Sequence, residues 1–236
     1  MDDKKGRTTD PIVTGTTVLG IRYRDGVLVM ADTLGSYGSL SRFKSIERIQ
    51  KVNATTMIGA SGEYSDFQYI QKLLQDLTVR DFAEEDGTSL TSSEIHSYLS
   101  RVLYNRRSKA NPLYNQLVIA GFEEKTPHLG LVDLYGSTYT DNYIATGMGA
   151  YMALPLMRKA WREDLTEVQA RKLLEDAMVV CVYRDCRAIN KFQMARVDKD
   201  GVSISEPYPL KEEWYLVSPL MNFRDFKRFV NVNDQT

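Results

Sequence analysis

Residues 14–32 read TGTTVLGIRYRDGVLVMAD. Residues 13–23 and 27–31 are predicted to pair across a turn at Arg24-Asp25-Gly26, because Asp-Gly between apolar runs is a strong hairpin signal. The run VLVMA is apolar at successive positions, as a strand covered on both faces must be. The Gly15-Thr16-Thr17 step ahead of it has two meanings. It is either an ordinary strand start or the site of a nucleophilic threonine, whose hydroxyl attacks once its own free α-amine acts as base. What the rest of the chain supplies decides between them.

Outward from this hairpin, residues 1–11 are polar, contain Gly6 and Pro11, and read as a loose arm. On the other side comes a loop rich in glycine and serine, LGSYGSLSR (34–42), then two short strands, 49–52 and 56–60, turning at Asn53. Phe67, Ile70, Leu73, Leu74 and Leu77 recur at helical spacing, as do Ile95, Tyr98, Leu99, Val102 and Leu103. Ser92 and Ser93 are expected to cap the second helix, with Glu85-Asp86 and Glu94 as its acidic lead, and Asn111-Pro112 to end it. A second strand pair is expected at 116–123 and 128–134, with short extended pieces over 137–145. Two further helices are expected, at 150–161 and from 167 to about 183, then strands 191–197 and 202–205 around Asp200-Gly201. Helix pairs inserted between groups of antiparallel strands imply two packed sheets with helices outside, a four-layer α+β domain. No linker, repeat or low-complexity segment divides it.

Thirty basic residues against 31 acidic leave a net charge of −1, which gives no reason to expect nucleic acid or an anionic membrane as partner. Cys181 and Cys186 have neither CxxC spacing nor a nearby histidine, so no disulfide framework or zinc site is expected and a reducing compartment fits. The start MDDKKGRTTD lacks a signal-peptide core, and no apolar run is long enough to span a bilayer. A soluble intracellular protein is the expectation. His96 and His128 have no ligand-spaced neighbours and read as structural. GMGAY (147–151) lacks a P-loop lysine and the full dinucleotide fingerprint, so it reads as a turn into a helix. Arg101, Arg106, Arg107 and Lys109 suit a helix C-terminus that is solvated or faces a subunit, and Tyr98, Tyr104 and Tyr114 read as packing residues. No metal or cofactor is expected.

Four separated stretches occur in one order: GTTVLGIRYRDGVLVMAD (15–32), IGASGEYSDFQYIQ (58–71), IATGMGAY (144–151) and YRDCRA (183–188). In that order they resemble the beta-type subunits of the 20S proteasome, from about Thr8 to the closing strands. Within that family, LGSYGSLSRF (34–43) and YNRRSKANPLYN (104–115) resemble the seventh beta type, a non-catalytic class. The resemblance implies an αββα sandwich of the N-terminal nucleophile hydrolase type. It also implies a division into a propeptide-like arm (1–15), a beta-type domain (16–213) and a C-terminal tail (214–236).

Carried over position by position, the resemblance puts the nucleophile at Thr16, buried carboxylates at Asp32 and Asp185, and the oxyanion glycine at Gly62. The activating lysine falls on Arg48, and two serines fall on Met148 and Ala188. Arginine stays protonated far above neutral pH and carries a broad planar fork, so it cannot take a compact proton-shuttling place. Met148 and Ala188 lack the hydroxyls that would hold the α-amine and its water. Fifteen residues precede Thr16 in this sequence, and while that peptide bond is intact Thr16 has no free amine. Asp32 and Asp185 are expected to face Arg48 as buried, paired carboxylates.

The resemblance therefore implies no catalytic residue. It implies a structural subunit supporting ring assembly for ubiquitin-dependent and general protein degradation, in cytoplasm and nucleus. The implied partners are other beta-type and alpha-type subunits, with the opposite beta ring clasped by a tail carrying Leu220, Met221, Phe223, Phe226, Phe229 and Val230. The alternative, an active threonine endopeptidase with Thr16 as nucleophile, requires a lysine at 48 and a chain beginning at Thr16. A homomeric bacterial-type protease is a third reading, against which the loop 34–43 and the extended tail both argue.

Overall fold

The computed structural model describes residues 10–84, 89–123, 126–212 and Trp214. The 34–42 loop and the strands flanking it show how the sheets are built. Val13–Gly15 (β1), Gly35–Tyr37 (β4), Leu40–Phe43 (β5), Ile49–Lys51 (β6), Thr56–Glu63 (β7), Asn115–Glu123 (β8), Thr126–Val132 (β9) and Thr138–Thr140 (β10) form one antiparallel sheet. Its order is β10-β9-β8-β7-β1-β4-β5, with β6 also on β7. Val18–Tyr23 (β2), Gly26–Asp32 (β3), Tyr143–Ala145 (β11), Phe192–Asp198 (β12) and Gly201–Ile204 (β13) form the second sheet, in the order β11-β2-β3-β12-β13. Helices Tyr64–Ala83 (α1) and Ser92–Ser108 (α2) cover the first sheet; Gly149–Met152 (α3), Leu154–Ala160 (α4) and Glu167–Arg184 (α5) cover the second.

Side chains alternate along the central strands and so feed three apolar layers. Val27, Val29 and Ala31 of β3 point between the sheets, with Val18, Met57, Val118 and Ala120. Leu28 and Met30 point the other way, onto Leu174, Ala177 and Met178 of α5. Ile58 and Ala60 of β7 and Leu117 and Ile119 of β8 meet Phe67, Ile70, Ile95 and Leu99 of the outer helices. Each inner strand is thus covered on both faces, and the four-layer α+β sandwich is present.

Several local expectations change. The strand expected over 13–23 is two strands, since β1 pairs with β7 in one sheet and β2 with β3 in the other. The chain crosses between sheets at Thr16-Thr17. Val13–Gly15 is extended, as the strand expected from residue 13 requires; of the loose arm expected over 1–11, residues 1–9 lie outside the described residues. The 34–42 loop is the β4–β5 hairpin, turning where Gly38 adopts φ 57°. Thr91, not Ser92 or Ser93, caps α2: its hydroxyl accepts Glu94 N–H at 3.2 Å and the Glu94 carboxylate accepts Thr91 N–H at 2.9 Å. Glu85-Asp86 lies outside the described residues. The helix ends at Ser108, ahead of Asn111-Pro112, as the chain turns through Ala110 at φ 51°. The helix expected at 150–161 breaks at Ala153 and restarts with Pro155 in its first turn, where a missing N–H costs no hydrogen bond. No described helix is long and apolar enough to cross a membrane.

Candidate functional site

Thr16 sits where the chain passes from β1 to β2. The fold gathers most of the expected site residues around it: Asp32 at the end of β3, Arg48 just before β6, Gly62 in β7, Met148 before α3 and Asp185 capping the end of α5. β1 and β6 lie end to end along the same edge of β7, pairing with Gly62-Glu63 and with residues 57–59. Arg48 fills the junction between them, and its carbonyl accepts Ala60 N–H at 2.9 Å.

The Arg48 side chain is 2% exposed, and each of its three guanidinium nitrogens has a fixed partner. Nε donates to Ala60 O at 3.1 Å, Nη2 to Thr17 O at 3.0 Å, and Nη1 to Asp32 Oδ1 in an ion pair. Asp32 is 4% exposed, and its second oxygen accepts Ile189 N–H at 3.3 Å. Burial pushes the Asp32 carboxyl up to about 6, with Arg48 pulling the other way; burial also lowers Arg48. The arginine starts so far above neutrality that it keeps its charge.

Asp185 does not pair with Arg48 as expected. Its Oδ1 accepts Arg187 N–H at 2.8 Å, and its Oδ2 is buried without a partner. The reason is placement: as the C-terminal cap of α5, its carboxylate turns back onto the following loop. Its charge reaches Arg48 only through space.

Around Thr16 the backbone is closely tied. Gly149 N–H donates to Thr17 Oγ1 at 3.0 Å, and Val18 N–H to Thr146 Oγ1 at 3.0 Å. Gly147 adopts φ 57°, and a Cβ there would fall 2.8 Å from Thr16 O. Thr16 Oγ1 is buried and has no hydrogen-bond partner, so no base is poised on it. Gly62, the expected oxyanion glycine, has φ 93°, and a side chain there would overlap the Tyr114 carbonyl. Backbone geometry therefore demands glycine at 62 whatever the chemistry.

Two contacts escaped the sequence. A Cβ on Gly15 would lie 2.7 Å from Arg48 Cζ and overlap Nε, so the guanidinium lies directly over the backbone of the residue before Thr16. Glu63, buried beside Gly62, accepts Ile12 N–H, Val13 N–H at 3.0 Å and Ser65 O–H at 2.9 Å. It ties the chain ahead of Thr16 to the start of α1. Its one available signal was a carboxylate closing a mostly apolar strand. β1 itself lies between β7 and β4, Thr14 facing Glu63 on one side and Ser36 on the other.

His96 and His128 meet edge to face at 5.3 Å between ring centres, and burial beside His96 pushes His128 down to about 4. Among the described residues, no group of three His, Cys, Asp or Glu side chains is disposed to hold a metal ion. Cys181 is buried and Cys186 exposed, both as free thiols.

Residues 12–197 match the family described as "Proteasome subunit". The chain is 46% identical over 213 residues to a protein of Arabidopsis thaliana named proteasome subunit beta type-4, covering 90% of this chain and 87% of that one. It is 48% identical over 208 residues to the Dictyostelium discoideum protein of the same name, covering 87% and 80%. It is 43% identical over 203 residues to proteasome subunit beta type-7 of Saccharomyces cerevisiae, covering 82% and 76%.

Proposed function

The chain belongs to the proteasome subunit family as a beta-type member, and from that premise we propose that it is a non-catalytic, structural subunit of the 20S core particle. The observation that carries this reading is Arg48. Where the family mechanism needs a compact, titrating lysine, this chain has a cation locked to Asp32, Ala60 O and Thr17 O and laid over Gly15. The strand β1 supports it, since a free amine at Thr16 would require cutting a chain held between two sheet neighbours. Catalytic residues are accordingly none.

Its partners on this reading are other beta-type and alpha-type subunits in hetero-oligomeric rings, in cytoplasm and nucleus. We keep the division into an arm (1–15), a domain (16–213) and a tail (214–236) that clasps the opposite ring. Of that tail only Trp214 is described; it meets the Tyr183 ring edge-on at 4.9 Å. The test is an electrophile that requires both a threonine hydroxyl and its free amine, such as an epoxyketone, applied to intact particles. Peptide mass mapping should find adducts on sibling subunits and none on Thr16. An adduct on Thr16 would overturn the non-catalytic reading in favour of an active threonine endopeptidase.

A further inference from the structure

Beyond β13 the chain does not leave the domain at once. Residues 205–212 form a strap that turns back along the start of β12. Ser205 N–H donates to Met194 O at 2.8 Å, and Phe192 and Tyr208 exchange both backbone hydrogen bonds, at 2.8 and 2.9 Å. The Tyr208 hydroxyl donates to the Glu175 carboxylate of α5 at 3.0 Å. Tyr208 and Leu210 pack on the apolar layer between α5 and the second sheet. At Leu210 a side chain stands in for a strand partner: Asn190 Nδ2 donates to Leu210 O at 2.8 Å, and Leu210 N–H donates to Asn190 Oδ1 at 2.7 Å. A side-chain amide supplies the donor and the acceptor together.

Asn190 is itself held by its neighbours in sequence. Ile189 N–H donates to Asp32 Oδ2 at 3.3 Å. Lys191 O accepts Thr33 N–H at 3.0 Å and Thr33 O–H at 3.3 Å. Residues 189–191 thus bind the end of β3 on either side of the residue that binds the strap. Asp32 is fixed in turn by Arg48. A buried ion pair contributes little net stability over an apolar pair of the same volume, and its best-attested use is to fix one arrangement of the chain. Here the arrangement it reaches is that of the strap.

Resting on the subunit reading above, we propose that Asn190 is a positioning residue for the C-terminal tail, and that the Arg48–Asp32 pair holds the 189–191 loop where Asn190 needs it. The buried cluster around Thr16, which has no base to offer that threonine, serves instead as an anchor. The chain then reaches Trp214 from a fixed point beside the end of α5, where Trp214 meets the Tyr183 ring edge-on. A fixed point of departure narrows the directions that a following segment samples before it docks, which lowers the entropic cost of docking.

The test uses half-particles, each one alpha and one beta ring, assembled with the full chain or a variant, so that the tail has no opposite ring to hold it. Amide hydrogen exchange over 205–212 reads the strap, and native gels read the rate at which half-particles join. Asn190→Ala should speed exchange over 205–212 by about tenfold or more while α1 and β8 exchange as in wild type, and should slow joining several-fold. Asn190→Asp keeps the acceptor for Leu210 N–H but has no donor for Leu210 O, and should fall between. D32L/R48M removes the acceptor for Ile189 N–H and leaves Asn190 in place; it too should speed exchange over 205–212. Wild-type protection of the strap in Asn190→Ala, or joining at the wild-type rate with the strap loosened, would overturn the positioning role. Full protection in D32L/R48M would overturn the part given to the buried pair. A wild-type chain that does not enter half-particles would instead remove the subunit reading, and the tail's positioning with it.

Discussion

Asp32→Asn isolates what the buried pair contributes. The amide has the carboxylate's shape but no charge. If its oxygen faces Arg48 Nη1, its NH2 is turned onto Ile189 N–H, which now donates to Asp32 Oδ2 at 3.3 Å, so two donors oppose each other. Arg48, 2% exposed, keeps its charge with only the Ala60 and Thr17 carbonyls for compensation. Breaking a buried ion pair from one side costs about 3–5 kcal/mol, and the retained amide bond places this change near about 3. For a chain of this length that corresponds to a fall in Tm of about 6–12 °C. Thr16→Ala is the control, expected within about 0.5 kcal/mol of wild type because Thr16 Oγ1 has no partner to lose. The double change Asp32→Leu with Arg48→Met should recover much of the Asn loss, since an apolar pair of similar volume replaces the ion pair at little net cost. Pulse proteolysis of the full chain in urea measures all three. An Asp32→Asn variant within about 1 kcal/mol of wild type, or a Thr16→Ala variant as unstable as Asp32→Asn, would refute the structural account of this cluster.

His128 is held near 4 in the fold against about 6.5 when unfolded, so its neutral form is favoured; the stability this gives is present above pH 6.5 and is lost as pH falls toward 4. The urea midpoint should therefore drop between pH 7 and 5 by the equivalent of about 2 kcal/mol more in wild type than in His128→Phe, and parallel drops would contradict it. Ala110 adopts φ 51°, a conformation that costs an L-residue about 1–2 kcal/mol. Ala110→Gly should raise Tm by a few degrees, and a lower Tm would show that the strain is not there.

Much of the fold was legible because its strands are covered on both faces. VLVMA reads as unbroken apolar sequence since Val27, Val29 and Ala31 face one layer while Leu28 and Met30 face another. The helix stripes were equally plain, their apolar faces repeating at the helical period. The crossing at Thr16-Thr17 was hidden, because an extended chain that leaves one sheet for another keeps its alternation and changes only its hydrogen-bond partners. The β4–β5 hairpin was hidden for a different reason: its strands are short, the buried positions of β4 are Gly35 and Ser36 with no apolar side chain to mark them, and β5 is largely exposed. Thr91 lost to Ser92 because both are good caps, and the two differ only in which one has a glutamate three residues on.

The site shows the same limit more sharply. Position-by-position correspondence said that Arg48 stands where a lysine would act, yet correspondence carries no information about what an arginine needs there. The structure gives those needs: two carbonyls, one carboxylate, and a neighbour with no side chain. Gly15, which precedes the position the resemblance gives to the nucleophile, is also the residue over which the guanidinium lies, and a Cβ there would sit 2.7 Å from Cζ. The guanidinium Nε and Cζ make the tightest of these approaches, and Arg48 Cδ, an atom a lysine would share, also lies 2.9 Å from that Cβ. Gly15 and Arg48 are thus a single packing feature. A glycine before Thr16 in this chain is explained by that packing alone, so its presence carries no weight for cleavage at the Gly15–Thr16 bond.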